Sequence, residues 1–159
     1  MEKEFDCWTV PLPSDAPYEY WEKENRTGRG LVSMKHAAVN CGLGSIGKST
    51  LLLNEQFGNR LNIGIVLTDL ALQPDDFAKE VCIPNCRKCI ESCPAHAINE
   101  NGVNQKLCRL NTYGKNERGF ETVDCNKCRS VCPSALGNRV FVAVLSKHKG
   151  KNIVKLWKN

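Results

Sequence analysis

The sequence predicts an α+β fold assembled from short elements, and three observations predict it. Eight of the ten cysteines lie between positions 82 and 132, in two runs that each close on Cys-Pro. Ahead of them, one segment has helical spacing and ends on glycine, while others are apolar, partly β-branched and separated by Asn and Gly, the pattern of a hairpin. The cysteine segment has few large apolar residues for its length, so its fold is expected to depend on metal held by thiolates.

The first run is Cys82, Cys86, Cys89, Cys93-Pro94 and the second is Cys108, Cys125, Cys128, Cys132-Pro133. Each Cys-x2-Cys unit puts two thiolates on one tight turn, and each last cysteine follows three residues later, ahead of proline. In two-cluster ferredoxins that last cysteine ligates the other cluster. The spacing therefore points to two [4Fe-4S] clusters in a ferredoxin-like domain, one held by Cys82, Cys86, Cys89 and Cys132, the other by Cys108, Cys125, Cys128 and Cys93. Two departures from the common pattern remain: residues 83–85 make the first run x3-x2-x3, and residues 109–124 separate Cys108 from Cys125. Three other readings stay open. They are a pair of four-cysteine zinc sites, a disulfide framework in an oxidising compartment, and one cluster beside a degenerate second run. Zinc gives no reason for the repeated x3-Cys-Pro. The first residues have no basic start before an apolar stretch, so no secretory signal is read and a cytoplasmic location is expected.

Taken in order, residues 1–30 hold Pro11, Pro13, Pro17, Gly28 and Gly30 among acids and aromatics, which breaks every period and reads as an extended arm anchored by Trp8, Tyr18, Tyr20 and Trp21. Residues 31–41 carry Met34, Ala37, Ala38 and Cys41 at helical spacing, with Gly42 as the stop. Residues 50–53 and 61–68 are apolar and flank Asn54 to Asn59, which predicts a β-hairpin. Pro74, Asp75 and Asp76 mark a loop into the cysteine segment. There, Asn101-Gly102 between Ile98 and Val103 predicts a type I′ hairpin, and residues 105–110 a short helix bearing Cys108. Residues 140–145 are wholly apolar, a pattern shared by a buried strand and a helix segment. No run of about 18 apolar residues occurs, so no membrane partner is expected.

The 159 residues leave room for one ordinary domain or a small domain plus an appendage, and 42% hydrophobic with 25% charged residues is a folded composition. The formal charge of +5 treats cysteine as neutral. Two oxidised clusters of about −2 each would bring it to about +1, so overall charge names no partner. Its distribution is uneven: residues 1–24 carry seven acids against two lysines, whereas residues 125–159 carry eight Lys or Arg and no acid. The tail lysines Lys147, Lys149, Lys151, Lys155 and Lys158 suit either solvent or phosphate.

Residues 42–49, GLGSIGKS, satisfy both G-x4-G-K-S and G-x-G-x-x-G. A phosphate-binding loop needs a strand before it and a helix after it. Here a helical pattern precedes and a hairpin pattern follows, and the acidic strand imitated by residues 63–69 comes too soon. Gly42, Gly44, Gly47 and Lys48 are instead expected to let the backbone turn sharply or approach a large cofactor.

From about Met34 to Leu136 the chain resembles epoxyqueuosine reductase and its shorter relatives. The resemblance rests on His36-Ala37-Ala38-Val39, Gly42-Leu43-Gly44-x-x-Gly47-Lys48, Phe57-Gly58, Leu67-Thr68-Asp69, Pro74-Asp75 and the order of the eight cysteines. It implies reduction of a tRNA wobble-nucleoside epoxide with cobalamin, fed by two [4Fe-4S] clusters, an arrangement shared by reductive dehalogenases. It also implies a fold of class α+β, a ferredoxin-like double [4Fe-4S] domain following a partial α/β reductase-type domain. The divisions expected are an arm (1–30), a reductase-domain remnant (31–78), the two-cluster domain (79–137) and a basic tail (138–159). Where the family's proton-donating aspartate stands just upstream of the glycine loop, this chain has Arg26-Thr27-Gly28-Arg29-Gly30, and it is about half the length of such enzymes. A truncated relative working as an electron carrier with a redox partner protein or reductase domain is therefore expected. A cobalamin-dependent reductase completed by a separate N-terminal portion is the alternative, with tRNA reached through the basic tail, and a zinc-stabilised interaction module is a further one.

Among the remaining residues, His36 reads as a surface or packing residue and His96 as a hydrogen-bond donor to cluster sulfur. His148 joins the tail. Cys41 is expected to pack as a small apolar group and Cys7 to be a free thiol. Arg87, Lys88, Lys127 and Arg129 would set the potentials by charge. Residues 113–120 read as a partner-facing or shielding loop or a surface turn.

Overall fold

The structure, a computed structural model, describes residues 2–13 and 18–138, and the backbone of two further strands, 142–148 and 151–157. Pro17 of the expected arm, Val140 and Phe141 of the apolar run, and Lys149 and Lys158 of the tail lie outside the described residues.

The N-terminal stretch is more than an arm. Glu2–Phe5 makes one helical turn (α1), and the Glu2 carboxylate accepts from the Thr9 amide at 3.1 Å and its hydroxyl at 2.8 Å. Thr9–Leu12 forms β1, and Tyr20–Glu22 (β2) pairs antiparallel with Thr27–Arg29 (β3), Trp21 opposite Gly28. Gly28 is where the Tyr18 ring lies against the backbone; a Cβ there would stand 2.7 Å from it. The sequence pattern missed these strands because each is three or four residues long and holds no buried residue, so none shows the alternation that burial of one face imposes.

Met34–Asn40 (α2) falls inside the expected helix and stops where Gly42 takes φ +71°. Ser45–Ile46 (β4) then pairs with Leu52–Leu53 (β5), whose leucines are buried. Ile65–Thr68 (β6) runs antiparallel to β1, Thr9 opposite Thr68 and Leu12 opposite Ile65, and the Trp8 amide donates to the Asp69 carboxylate at 2.7 Å. The expected hairpin between residues 50–53 and 61–68 is thus corrected: both segments contain strands, but each has another partner. The reason is the tight closure of Asn54 on Gly58, in which Asn54 Oδ1 accepts from the Gln56 and Phe57 amides at 2.9 and 3.0 Å. Asn59 then bonds away to the Ala135 carbonyl at 3.1 Å, carrying the chain out of register.

In the cysteine segment, Lys88–Glu91 (α3) is a single helical turn, and Ile98–Asn99 (β7) pairs with Gly102–Val103 (β8). The hairpin is present, but its two-residue loop is Glu100-Asn101 and neither has positive φ; Gly102, at φ +130°, opens β8 instead of completing a type I′ turn. Gln105–Thr112 (α4) is capped by the Asn104 side chain, which accepts from the Leu107 amide at 3.1 Å. Residues 113–120 are not a bare loop: Tyr113–Lys115 (β9) pairs with Glu121–Val123 (β10) around Asn116, whose Oδ1 accepts from the Arg118 and Phe120 amides. Lys127–Ser130 (α5) packs against α3. Val142–His148 (β11) and Lys151–Trp157 (β12) pair antiparallel, so residues 142–145 of the apolar run are strand.

The observed fold is therefore mixed, short helices among small antiparallel sheets. Its apolar core is slight: Cys93, Ala97 and Ile98 are buried with Ile90, Val103, Cys108 and Cys128 against them, and Leu53 is the largest side chain fully out of water among the described residues. No helix of the described residues is long and apolar enough to cross a membrane.

Candidate metal centre

The two cysteine runs fold as repeats of one local plan. Arg87 and Asn126 stand at the N-terminal ends of α3 and α5, Cys89 and Cys128 lie within those turns, and the Cys93 and Cys132 carbonyls accept at 3.0 Å from the amides of His96 and Ala135. The extra residue of the first run is absorbed where Asn85 takes φ +59°, letting the Cys86 amide reach back to the Ile83 carbonyl at 3.2 Å. Asn tolerates that conformation better than most residues.

Cys82, Cys86 and Cys89 of the first run and Cys132 of the second line one small cavity, together with Gly47, Lys48 and Leu53. Cys93 of the first run is packed with Cys108 and Cys128 of the second. Burial pushes the Cys89 thiol up, opposed by the backbone amides of Cys89 and Ile90 and reinforced by Cys82 and Cys86. Burial likewise raises Cys128; Cys108, Cys125 and Cys93 add to the effect, while the Arg129 amide offsets part of it. Cys132 thus shares a cavity with three cysteines of the first run, and Cys93 packs with two of the second. Among the described residues, no three His, Cys, Asp or Glu side chains converge closely enough to hold a single metal ion. Soft thiol donors are the ligand type of zinc and of iron–sulfur centres.

The glycine loop lies against the first set. Added Cβ atoms at Gly42 and Gly44 would strike the Asp76 and Leu53 carbonyl oxygens, and one at Gly47 would come within 2.7 Å of Leu53 Cδ1 and 3.6 Å of Cys82 Sγ. These glycines serve close approach of chain to chain, with Gly47 and Lys48 in the cavity wall. Lys48 Nζ donates to the Ile83 carbonyl at 3.4 Å, and Ser45 Oγ accepts from the Val81 amide at 3.1 Å. With α2 before the loop and β4 inside it, the strand–loop–helix order of a phosphate loop is absent here.

Other expected residues fall differently. His36 is exposed, its Nδ1 2.7 Å from Ser33 Oγ, and Cys41 is exposed, which corrects its expected packing. Cys7 is half-buried. His96 is exposed too; the donor to Cys93 Sγ is the Ala97 amide at 3.3 Å, because φ +47° at His96 turns the chain back over the sulfur. Arg87 answers to Glu91 at 3.6 Å and to Glu100, and the Arg129 guanidinium to the Asn59 carbonyl, so both charges are engaged locally. Lys88 and Lys127 are exposed.

Sequence reading missed the surroundings of Arg109. Its guanidinium lies 5.2 Å from the Tyr18 and Trp21 ring centres and 5.9 Å from Tyr113, tying the β2–β3 hairpin to α4 beside Cys108. A cleft of about 640 Å³ opens there, walled by Arg29, His36, Cys108, Arg109 and Tyr113 among others. The stretch 26–30 borders it, the Gly28 amide donating to Gln105 Oε1 at 3.2 Å.

No family model matches the chain. It is 27% identical over 121 residues to epoxyqueuosine reductase of Listeria monocytogenes, covering 69% of this chain and 31% of that one. The crystal structure of an epoxyqueuosine reductase with a tRNA-Tyr epoxyqueuosine-modified stem loop superposes over 84% of the chain, with a TM-score of 0.60 at 18% identity, and covers 34% of that protein. The chain is epoxyqueuosine reductase-like. Its mixed helices and small antiparallel sheets are those of the epoxyqueuosine reductase neighbours. A tetrachloroethene reductive dehalogenase of Desulfitobacterium hafniense is 46% identical over 65 residues, 38% of this chain and 12% of that one. The chain spans about a third of the length of the epoxyqueuosine reductases it matches.

Proposed function

We propose that this chain is a cytoplasmic iron–sulfur electron-transfer protein of epoxyqueuosine reductase type, holding two [4Fe-4S] clusters in a ferredoxin-like domain of residues 79–137. The observation that carries this reading is the exchange of one cysteine between the runs: Cys132 shares the cavity of Cys82, Cys86 and Cys89, and Cys93 packs with Cys108 and Cys128. When bound, such clusters supply one-electron transfer at a potential set by burial, charge and hydrogen bonds to sulfur. The residues do the holding and shielding. Partial burial at Cys89 and Cys128 limits water at the thiols, the amides of Ile90 and Arg129 favour the thiolate, and Gly47 lets the chain close on Leu53 beside Cys82. Lys48 brings a cation to the wall of the first set, and Lys88 and Lys127 lie nearby in sequence.

A second reading is a cobalamin-dependent epoxyqueuosine reductase completed by a separate N-terminal portion. The cleft beside Cys108 favours it, as does the stem loop carried by the solved relative, which makes tRNA a candidate partner here. Gly42, Gly44, Gly47 and Lys48 would then bear on the first cluster set and not on the corrinoid, since they lie against Leu53, Asp76 and Cys82.

Purification without oxygen, followed by iron, sulfide, zinc and corrinoid analysis, separates these. The carrier reading expects about eight iron and eight sulfide per chain and no corrinoid. Retained corrinoid transfers the conclusion to the second reading. Zinc without sulfide overturns both in favour of an interaction module.

A further inference from the structure

Thr112 follows Cys108 by four residues on α4, so both side chains leave the same face of the helix one turn apart. Its Oγ1 lies 3.7 Å from Cys108 Sγ, within hydrogen-bond reach of sulfur. A threonine in a helix commonly returns its hydroxyl to the carbonyl four residues back; here the hydroxyl is on the sulfur. Both side chains are half-buried, at the wall of the cleft where α4 meets the β2–β3 hairpin.

With a free thiol either group can donate. A cysteine bound to metal is a thiolate and has no proton, so the hydroxyl becomes the only donor and the bond acquires one direction. Such a bond strengthens as its acceptor gains negative charge. An electron added to a cluster and its thiolates therefore deepens the bond, which favours the reduced state. The first set has no counterpart: among the described residues, no side-chain donor reaches the sulfur of Cys82, Cys86, Cys89 or Cys132.

We propose that the Thr112 hydroxyl tunes the centre held by Cys93, Cys108, Cys125 and Cys128, raising its reduction potential through a hydrogen bond to the Cys108 sulfur. Thr112 is a positioning residue, acting through Cys108. The proposal rests on the two-cluster reading, and the test keeps the two apart.

The full chain, purified without oxygen, is compared with Thr112→Val, Thr112→Ser and Thr112→Ala by iron and sulfide analysis and by a potentiometric titration followed by electron paramagnetic resonance. Valine keeps the shape and removes the hydroxyl, whereas serine keeps the hydroxyl. The expected result is wild-type iron and sulfide in all variants, with one of two midpoint potentials lowered in Val and Ala, the other unmoved, and Ser near wild type. The shift should approach a tenfold change in the reduction constant, about 59 mV for one electron. Unchanged midpoints in Val and Ala overturn the proposal while leaving the clusters standing, as does a Ser variant shifted as far as Val. If Val and Ala both fail to hold iron, the role is structural and the tuning claim is overturned. Wild-type protein without iron and sulfide overturns the two-cluster reading and the proposal with it.

Discussion

At the scale of single residues, the site is organised by which groups reach sulfur and which lysines and glycines the backbone can place beside it. Because Cys132 belongs to the cavity of the first set, Cys132→Ala should cost one cluster and leave iron and sulfide near half of wild type, about four of each; full retention would break the crossed assignment. Lys35 offers a separate test. Burial lowers its pKa from the ordinary 10.5, although Nζ donates to the Thr50 carbonyl at 2.6 Å. Between the lowered value and 10.5 the unfolded chain holds more protons than the folded one, so folding stability rises with pH across that window. Wild type should therefore gain stability relative to Lys35→Met as pH climbs from 7 toward 10.5, measured by denaturant midpoints; parallel curves would refute it. The approach of Cys132 to the first run and of Cys93 to the second was legible in the sequence, because the repeated x3-Cys-Pro spacing is local arithmetic. The Ala97 amide and the Thr112 hydroxyl were not, since a backbone turned at His96 and a donor one helical turn away become sulfur partners only once the chain has folded.

At the scale of elements, two joints hold the site in place. Asn104 caps α4, and its replacement by alanine should lower stability by about 1 kcal/mol, seen as a drop in melting temperature with Cys108 still present. The second joint is Gly58, at φ +61°, where an added Cβ would strike the Ser134 and Ala135 carbonyl oxygens. Gly58→Ala should destabilise by more than the roughly 1 kcal/mol that a compatible glycine-to-alanine change can add to stability, and the Asn59–Ala135 bond next to it ties this turn to the loop after Cys132. Iron loading under limiting supply should fall with it, whereas Gly64→Ala, with open space around the glycine and no positive φ, should not disturb loading. The helices α2 and α4 and the β7–β8 hairpin were readable because caps and turns act within a few residues. The partners of β5 and β6 were not: β6 joins β1 across some 56 positions, and no local pattern specifies such a pairing.

At the scale of the whole molecule, the balance of burial decides the behaviour. So few side chains are fully out of water that the segment 79–137 has little apolar support of its own, and stability should come from metal bound by thiolates. Stripping iron and sulfide from the intact protein with acid and chelator should collapse the helical signal in far-ultraviolet circular dichroism and expose amides of α3 and α5 to exchange; an unchanged spectrum would count against a metal-dependent fold. The sequence by itself determined the two cysteine runs, the expected exchange of one cysteine between them and the stop of α2 at Gly42, because spacing and glycine act along the chain. Only the tertiary structure decided where the glycine loop rests, what strand partners β1 and which rings gather round Arg109. Those depend on burial and contact between residues far apart in sequence, which exist only after the chain has closed on itself.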